Sequence, residues 1–265
     1  MIDTMKQLRD LTMEAADALW ALKHGKEPNR DPITINQEIY ALRQRLDELP
    51  FFVPSPLSKE EIARIFAGTK AIITSSHVVY KSGKHGSAYV NKDAIYPHTM
   101  QISLLCQEIA RRFASDGVEV VVAPAVGGVI LSQWVAYHLT IMSGSQVLGI
   151  YADKAEDGQS FVIKRGYDKV ATGKNVLVVE DVLTTGDSAK KVIEVIRTLR
   201  GRVIGLGVLC NRGQVTEADV ASIPRLTALL NVELDTYDEE ACPLCQRGIP
   251  INTDVGKGRE FLARQ

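Results

Sequence analysis

A chain of 265 residues with 45% hydrophobic content has room for one medium domain plus an appendage, and ample material for a single core. Its formal net charge of −1 gives no general electrostatic reason to bind nucleic acid or an anionic membrane, so any phosphate handling has to be local. No apolar run approaches the length of a membrane span, and the opening stretch Met1–Arg9 is polar and amphipathic rather than a secretion signal, which points to a cytoplasmic protein.

Residues 1–58 read as a helical extension. Leu8, Leu11, Ala15, Leu19 and Leu22 recur at three- and four-residue intervals, as do Ile35, Ile39, Leu42, Leu46 and Leu49, which predicts two amphipathic helices separated by a turn over Glu27–Pro32. Two short helices bury too little surface to stand alone, so their apolar stripes have to dock on the main domain, a second subunit or another partner. Pro50–Pro56 is a natural linker. Ser58 followed by Glu61 forms a capping box for a helix through Ile62, Ile65 and Phe66, and a second domain, 59–265, begins there.

Short strands are expected over His77–Tyr80 and Ala88–Val90, flanking Lys81–Ser87. A helix over Met100–Phe113, a buried strand over Val118–Ala123 and a helix over Val129–Leu139 follow. After a strand at Val147–Tyr151 comes a polar, glycine-bearing loop over Ala152–Gly173. Strand Val176–Val179, helix Ala189–Leu199 and strand Val203–Leu209 complete a βαβ series, which predicts an α/β domain with a parallel sheet and right-handed crossovers. Ligands in such sheets bind beyond the carboxyl ends of the strands.

Two turns lie at such ends. Strand Val176–Val179 runs into the adjacent carboxylates Glu180 and Asp181 and then into Thr184, Thr185, Gly186, Asp187 and Ser188, where a helix opens. Backbone N–H groups at a helix start lack intrahelical partners and sit at the positive end of the macrodipole, so this hydroxyl-rich turn can wrap a phosphate. Two neighbouring carboxylates repel each other and resist desolvation. They call for hydroxyl groups or a metal, or else they cap the next helix. A ribose held by its 5′-phosphate would present its 2′- and 3′-hydroxyls there, and the acids would favour positive charge developing on the sugar. Ala125, Val126, Gly127 and Gly128, after strand Val118–Ala123, make a second small-residue turn suited to an anion or to close helix packing.

Of the four cysteines, Cys106 and Cys210 read as buried small residues. Cys242 and Cys245 have metal-ligand spacing, yet no second Cys-x-x-Cys or His pair follows them. A zinc site there would have to be completed across a subunit contact.

Glu-Asp-Val-Leu-Thr-Thr-Gly-Asp-Ser, residues 180–188, resembles the 5-phosphoribosyl-1-pyrophosphate (PRPP) motif of type I phosphoribosyltransferases. Lys81-Ser-Gly-Lys-His85 followed by Tyr89-Val-Asn-Lys92 resembles the amino-terminal region of the orotate phosphoribosyltransferases, and the resemblance extends over about residues 59–255. It implies a central, mostly parallel sheet flanked by helices with a small hood, to which residues 1–58 are added as a helical extension. It also implies a Mg²⁺-dependent homodimer that joins PRPP to orotate, with the magnesium carried by PRPP. By the same resemblance, Glu180 and Asp181 hold the ribose, Thr184 to Ser188 the 5′-phosphate, and Ala125 to Gly128 with Lys81 the pyrophosphate. Tyr89 would stack on the base, Arg212 would meet its carboxylate, and Lys154 is the catalytic candidate on the loop. Gly127 stands where many members carry a lysine, Gly86 where a serine is often found, and the loop offers Lys154, Lys164 and Arg165 without a histidine. A transferase acting on a purine or on uracil, and a PRPP-binding regulator, are the alternatives. A regulator would need a DNA-binding module, and residues 1–58 show no helix-turn-helix.

Overall fold

The computed structural model describes residues 2–47 and 55–264. The chain divides into two compact units, Met1–Phe52 and Val53–Gln265. Leu49 and most of the Pro50–Pro56 linker lie outside the described residues.

The first unit is a pair of helices, α1 (Ile2–Lys23) and α2 (Pro32–Asp47), at the two positions the apolar periodicity marks. Proline is tolerated at the first turn of α2 because its missing N–H would have had no helical partner. The Asp31 carboxylate accepts from the Thr34 amide (3.1 Å), completing the start. Ala18 and Ile35 are buried, whereas Leu22 is exposed and leaves the expected stripe. Arg30 pairs with Glu14 on α1 and Glu38 on α2 (2.8 and 2.6 Å).

In the second unit α3 (Lys59–Gly68) opens with the capping box. The Glu61 amide donates to Ser58 Oγ (3.1 Å) and the Ser58 amide to Glu61 Oε2 (2.7 Å). Four two-residue strands follow: β1 (Ile72–Ile73), β2 (Val78–Val79), β3 (His85–Gly86) and β4 (Tyr89–Val90). They pair antiparallel as β1 with β4 and β2 with β3, and form the small hood. Then come α4 (Thr99–Phe113), β5 (Val120–Pro124), α5 (Val129–Ser143), β6 (Leu148–Lys154) and β7 (Phe161–Val162). The rest is α6 (Tyr167–Ala171), β8 (Asn175–Leu183), α7 (Asp187–Thr198), β9 (Arg202–Asn211), β10 (Leu226–Asn231) and a tail with α8 (Pro243–Gln246) and α9 (Gly258–Leu262).

The central sheet has the order β10-β9-β8-β5-β6-β7, parallel throughout except for β7, which runs antiparallel along β6. Strict alternation along its strands divides the core into two layers. Val121, Ala123, Leu177 and Val179 face one side, with Leu105, Ile109 and Phe113 of α4 and Leu131, Val135 and Leu139 of α5. Val120, Val122, Val176 and Val178 face the other, with Val192, Ile193 and Ile196 of α7. Helices thus cover both faces, and only the strand ends remain open for a ligand.

Three features depart from the sequence reading. β8 continues past Val179 to Leu183, so Glu180 and Asp181 lie within the strand, with Glu180 opposite Val208 and Val182 opposite Cys210 of β9. The expected loop Ala152–Gly173 contains the end of β6, all of β7 and α6. β10 was not anticipated, because the chain crosses from β9 to β10 without a helix.

Candidate active site

The carboxyl ends of β5, β6 and β8 open on a cavity of about 530 Å³. Glu180 and Asp181 line it together with Ala125, Val126, Gly127, Lys154 and Ser188. A smaller recess of about 200 Å³ shares Lys92, Asp93, Asp181 and Val182 with it and adds Tyr89, Thr184 and Arg212. The structure therefore brings the acid pair, part of each turn and both expected base-binding residues to one connected crevice.

Asp181 is almost fully buried, and its carboxylate is held from three directions. Lys92 Nζ lies 2.6 Å from Oδ2, the Val182 amide donates to Oδ1 (2.7 Å), and the Tyr96 hydroxyl stands 3.3 Å from Oδ2 while donating to the Gly127 carbonyl (2.6 Å). Burial works against the Lys92 charge, but the hydrogen bond and charge of Asp181 outweigh it and hold the ammonium above its ordinary range. Burial, then the charge of Asp181, pushes the Tyr96 hydroxyl up.

Among the described residues no cation forms an ion pair with Glu180. One of its carboxyl oxygens accepts from the Asp181 amide (3.0 Å). Burial first, and the neighbouring Asp181 charge second, push its carboxyl up to about 8. The pair is thus arranged unequally, with Asp181 ion-paired and Glu180 driven toward its neutral form.

Backbone approach explains the glycines. A Cβ on Gly127 would collide with Asp181 Oδ2 and come within 2.7 Å of Lys92 Nζ, so no side chain fits between the turn and the ion pair. One on Gly128 would sit 2.6 Å from the Ala123 side chain. Gly186 begins α7 at φ +81°, a left-handed conformation that suits glycine, and a Cβ there would press on Val220 at 2.7 Å.

Thr184, Thr185, Asp187 and Ser188 are exposed at the start of α7, and the Asp187 amide donates to Thr185 Oγ1 (3.4 Å). Arg212, just past β9, donates from Nε to Thr184 Oγ1 (2.9 Å), which links the Thr184–Ser188 turn to the smaller recess. Lys154, at the end of β6, is exposed at the cavity wall. Arg165 points elsewhere, 5.8 Å over the Tyr151 ring. Lys81 stands on the exposed turn between β2 and β3 and belongs to the walls of neither cavity. Gly86 packs under the Tyr80 ring, where a Cβ would overlap the ring, so a serine could not occupy this backbone position.

Lys92 and Tyr96 are the participants that sequence reasoning missed. The available signal was the Tyr89-Val-Asn-Lys92 segment itself, whose lysine reaches 89 positions along the chain to Asp181.

A family profile described as phosphoribosyl transferase domain matches residues 93–236, which include the acid pair, both turns and Arg212. The chain belongs to the phosphoribosyltransferase family. An orotate phosphoribosyltransferase of Desulforamulus reducens is 39% identical over 194 residues, 73% of this chain and 95% of that protein. One of Thermotoga maritima is 36% identical over 199 residues, 74% of this chain and 98% of that protein. The fold of this phosphoribosyltransferase is also that of two crystal structures. Orotate phosphoribosyltransferase from Aeropyrum pernix superposes with a TM-score of 0.51 at 23% identity, covering 64% of this chain and 93% of that one. The Mycobacterium tuberculosis enzyme in complex with Fe(III) dicitrate gives 0.53 at 20% identity, covering 65% and 95%.

Proposed function

We propose that this protein transfers the 5-phosphoribosyl group of PRPP to orotate, giving orotidine 5′-monophosphate and pyrophosphate. The observation that carries the reading is the single crevice in which Glu180 and Asp181 meet both turns and the Tyr89–Arg212 recess. The start of α7 takes the 5′-phosphate through its free backbone N–H groups and the hydroxyls of Thr184, Thr185 and Ser188. Glu180 and Asp181 accept from the ribose hydroxyls. The turn Ala125–Gly128 lies across the cavity; the Ala125 and Gly128 amides donate to the Ala152 and Pro124 carbonyls, and the Val126 and Gly127 N–H groups receive the pyrophosphate.

A ring nitrogen of orotate gives up its N–H proton, to the departing pyrophosphate or to water, and attacks C1 of the ribose while the bond to pyrophosphate breaks. Positive charge spreads over the ring in the transition state, and the ionised Asp181 carboxylate beside it lowers the barrier. Lys154 supplies a cation at the cavity wall for the departing pyrophosphate. Lys81, on the exposed turn between β2 and β3, lies outside both cavities and takes no part in this reading. Tyr89 offers a π-face to the flat base, and Arg212 a guanidinium able to grip its carboxylate with two parallel hydrogen bonds.

Magnesium would enter this site carried by the phosphate oxygens of PRPP, since Asp181 Oδ2 is already paired with Lys92. When bound, Mg²⁺ neutralises charge on the phosphate oxygens.

The same reading includes a homodimer in the cytoplasm, with residues 1–58 as an appended helical extension. Ile130, Trp134, Tyr137 and Ile141 form a stripe along α5 at helical spacing, and three of them are exposed large apolar residues. Such a stripe supports contact with a second copy. No described helix is long and apolar enough to cross a bilayer.

The test is pyrophosphate release from PRPP and Mg²⁺ against a panel of bases. Release that requires orotate and stays at background with uracil, hypoxanthine and xanthine is expected. Release driven by one of the others would overturn the choice of base.

A further inference from the structure

The hood and the tail converge on a cluster of four side chains that phosphoribosyl transfer does not use. His77 and His85, from the β2–β3 hairpin, meet Cys242 and Cys245, which flank the start of α8, and one donor atom from each lies within 4.8 Å of all the others. His77, His85 and Cys242 are buried, and Cys245 is half-buried. All four belong to one chain. The expectation that a metal site at Cys242–Cys245 would need a second subunit is therefore corrected: its missing ligands lie upstream, 160 and more positions away.

The spacing of the donors decides what the cluster can hold. Cys242 Sγ and Cys245 Sγ lie 3.7 and 3.6 Å from His77 Nε2, Cys245 Sγ lies 3.3 Å from His85 Nδ1, and the two ring nitrogens are 2.9 Å apart. Zinc bound at about 2.3 Å to sulfur and about 2.05 Å to nitrogen in a tetrahedron has sulfur–nitrogen edges of about 3.6 Å and nitrogen–nitrogen edges of about 3.3 Å. These four edges match to within a few tenths of an ångström, and the two remaining donor separations lie within 4.8 Å. His77 Nδ1 lies 2.7 Å from the Ile249 carbonyl, a bond that places the proton on Nδ1 and leaves the Nε2 lone pair directed at the cluster. With His77 Nε2 an acceptor, a metal-free cluster puts the His85 proton on Nδ1. The buried His85 Nε2 has no hydrogen-bond partner whichever ring nitrogen carries the proton. A cation between the rings instead lets both facing nitrogens act as ligands. Two thiolates and two neutral imidazoles also cancel the charge of a dication, which makes its burial inexpensive.

We infer that His77, His85, Cys242 and Cys245 form a structural zinc site that clasps the carboxyl-terminal tail to the hood hairpin. Backbone bonds already lead the tail along this hairpin. The Asn252 amide donates to the His77 carbonyl (2.7 Å) and the Lys257 amide to the Val79 carbonyl (2.7 Å). Phe261 packs edge-on against the His85 ring, with centroids 4.9 Å apart. The metal fixes the hairpin whose turn carries Lys81 and Lys84. Soft sulfur with imidazole in a tetrahedron favours zinc over magnesium or calcium.

The test uses the full chain, purified under reducing conditions, and requires neither PRPP nor a base, so its outcome is separate from that of the proposed reaction. About one zinc per chain is expected by elemental analysis after zinc loading and desalting. Exchange for Co²⁺ should give the intense visible bands of tetrahedral cobalt together with thiolate-to-metal charge transfer. In the Cys242→Ser/Cys245→Ser variant retained zinc should fall at least about tenfold, and chelation of the wild type should lower Tm by about 5 °C or more. The wild-type cobalt spectrum stands as evidence even where the double variant does not fold. A wild-type chain that retains no zinc, a cobalt spectrum without charge transfer, or zinc retained undiminished in the folded double variant would each overturn the site.

Discussion

Glu180 shows how a functional residue can act against stability. A carboxyl held above its unfolded value binds its proton more tightly in the folded chain, so the fold loses stability as pH rises from about 4, the unfolded value, toward about 8. Glu180→Gln removes that loss while keeping the shape. Its Tm is expected to exceed that of the wild type by about 4 °C or more at pH 8, with the difference vanishing near pH 4. Turnover should fall about 10²-fold in the same variant. Thermal scans at the two pH values check the first expectation and steady-state kinetics the second. Lys92 presents the opposite case. Removing it by Lys92→Ala strands the Asp181 carboxylate in the interior, which is expected to cost about 2 kcal/mol in a denaturant titration. The acid pair was legible in the sequence because no apolar strand carries two carboxylates without a reason. Its unequal arrangement was not, because Lys92 and Tyr96 reach it from the far side of the fold.

At the scale of elements, periodicity served best where one face is buried and worst where an element is short. The α4, α5 and α7 helices lie within a few residues of their expected bounds, because each packs a continuous apolar stripe on the sheet. β8 outran its apolar run because its backbone goes on pairing with β9 while charged side chains enter the crevice. β7 and β10 escaped notice, one for its two residues and one for its helix-free crossover. The Ala125–Gly128 turn is readable as a small-residue turn, and the structure gives the reason for its first glycine. Gly127→Ala pushes into the Asp181–Lys92 pair, and the expected result is a rise in KM for PRPP of about tenfold with the circular dichroism spectrum unchanged. The histidines of the hood were invisible as ligands, since two residues eight positions apart on a hairpin and a tail far along the chain had to meet before any pattern existed.

At the scale of the whole molecule, one chemistry-bearing crevice lies at the open end of a sheet covered on both faces, and an apolar stripe on α5 faces outward. Tyr137→Glu places a charge in the middle of that stripe, and light scattering is expected to show a monomer in place of a dimer. The family was readable from nine consecutive residues, whereas the hood and its tail needed the three-dimensional structure. The account stands on the acid pair grasping the ribose of PRPP. Its most direct test is kcat/KM for orotate-dependent pyrophosphate release by the Glu180→Ala/Asp181→Ala variant, with folding monitored in parallel. A loss of at least about 10³-fold in a folded protein is the predicted result, and turnover close to that of the wild type would contradict it.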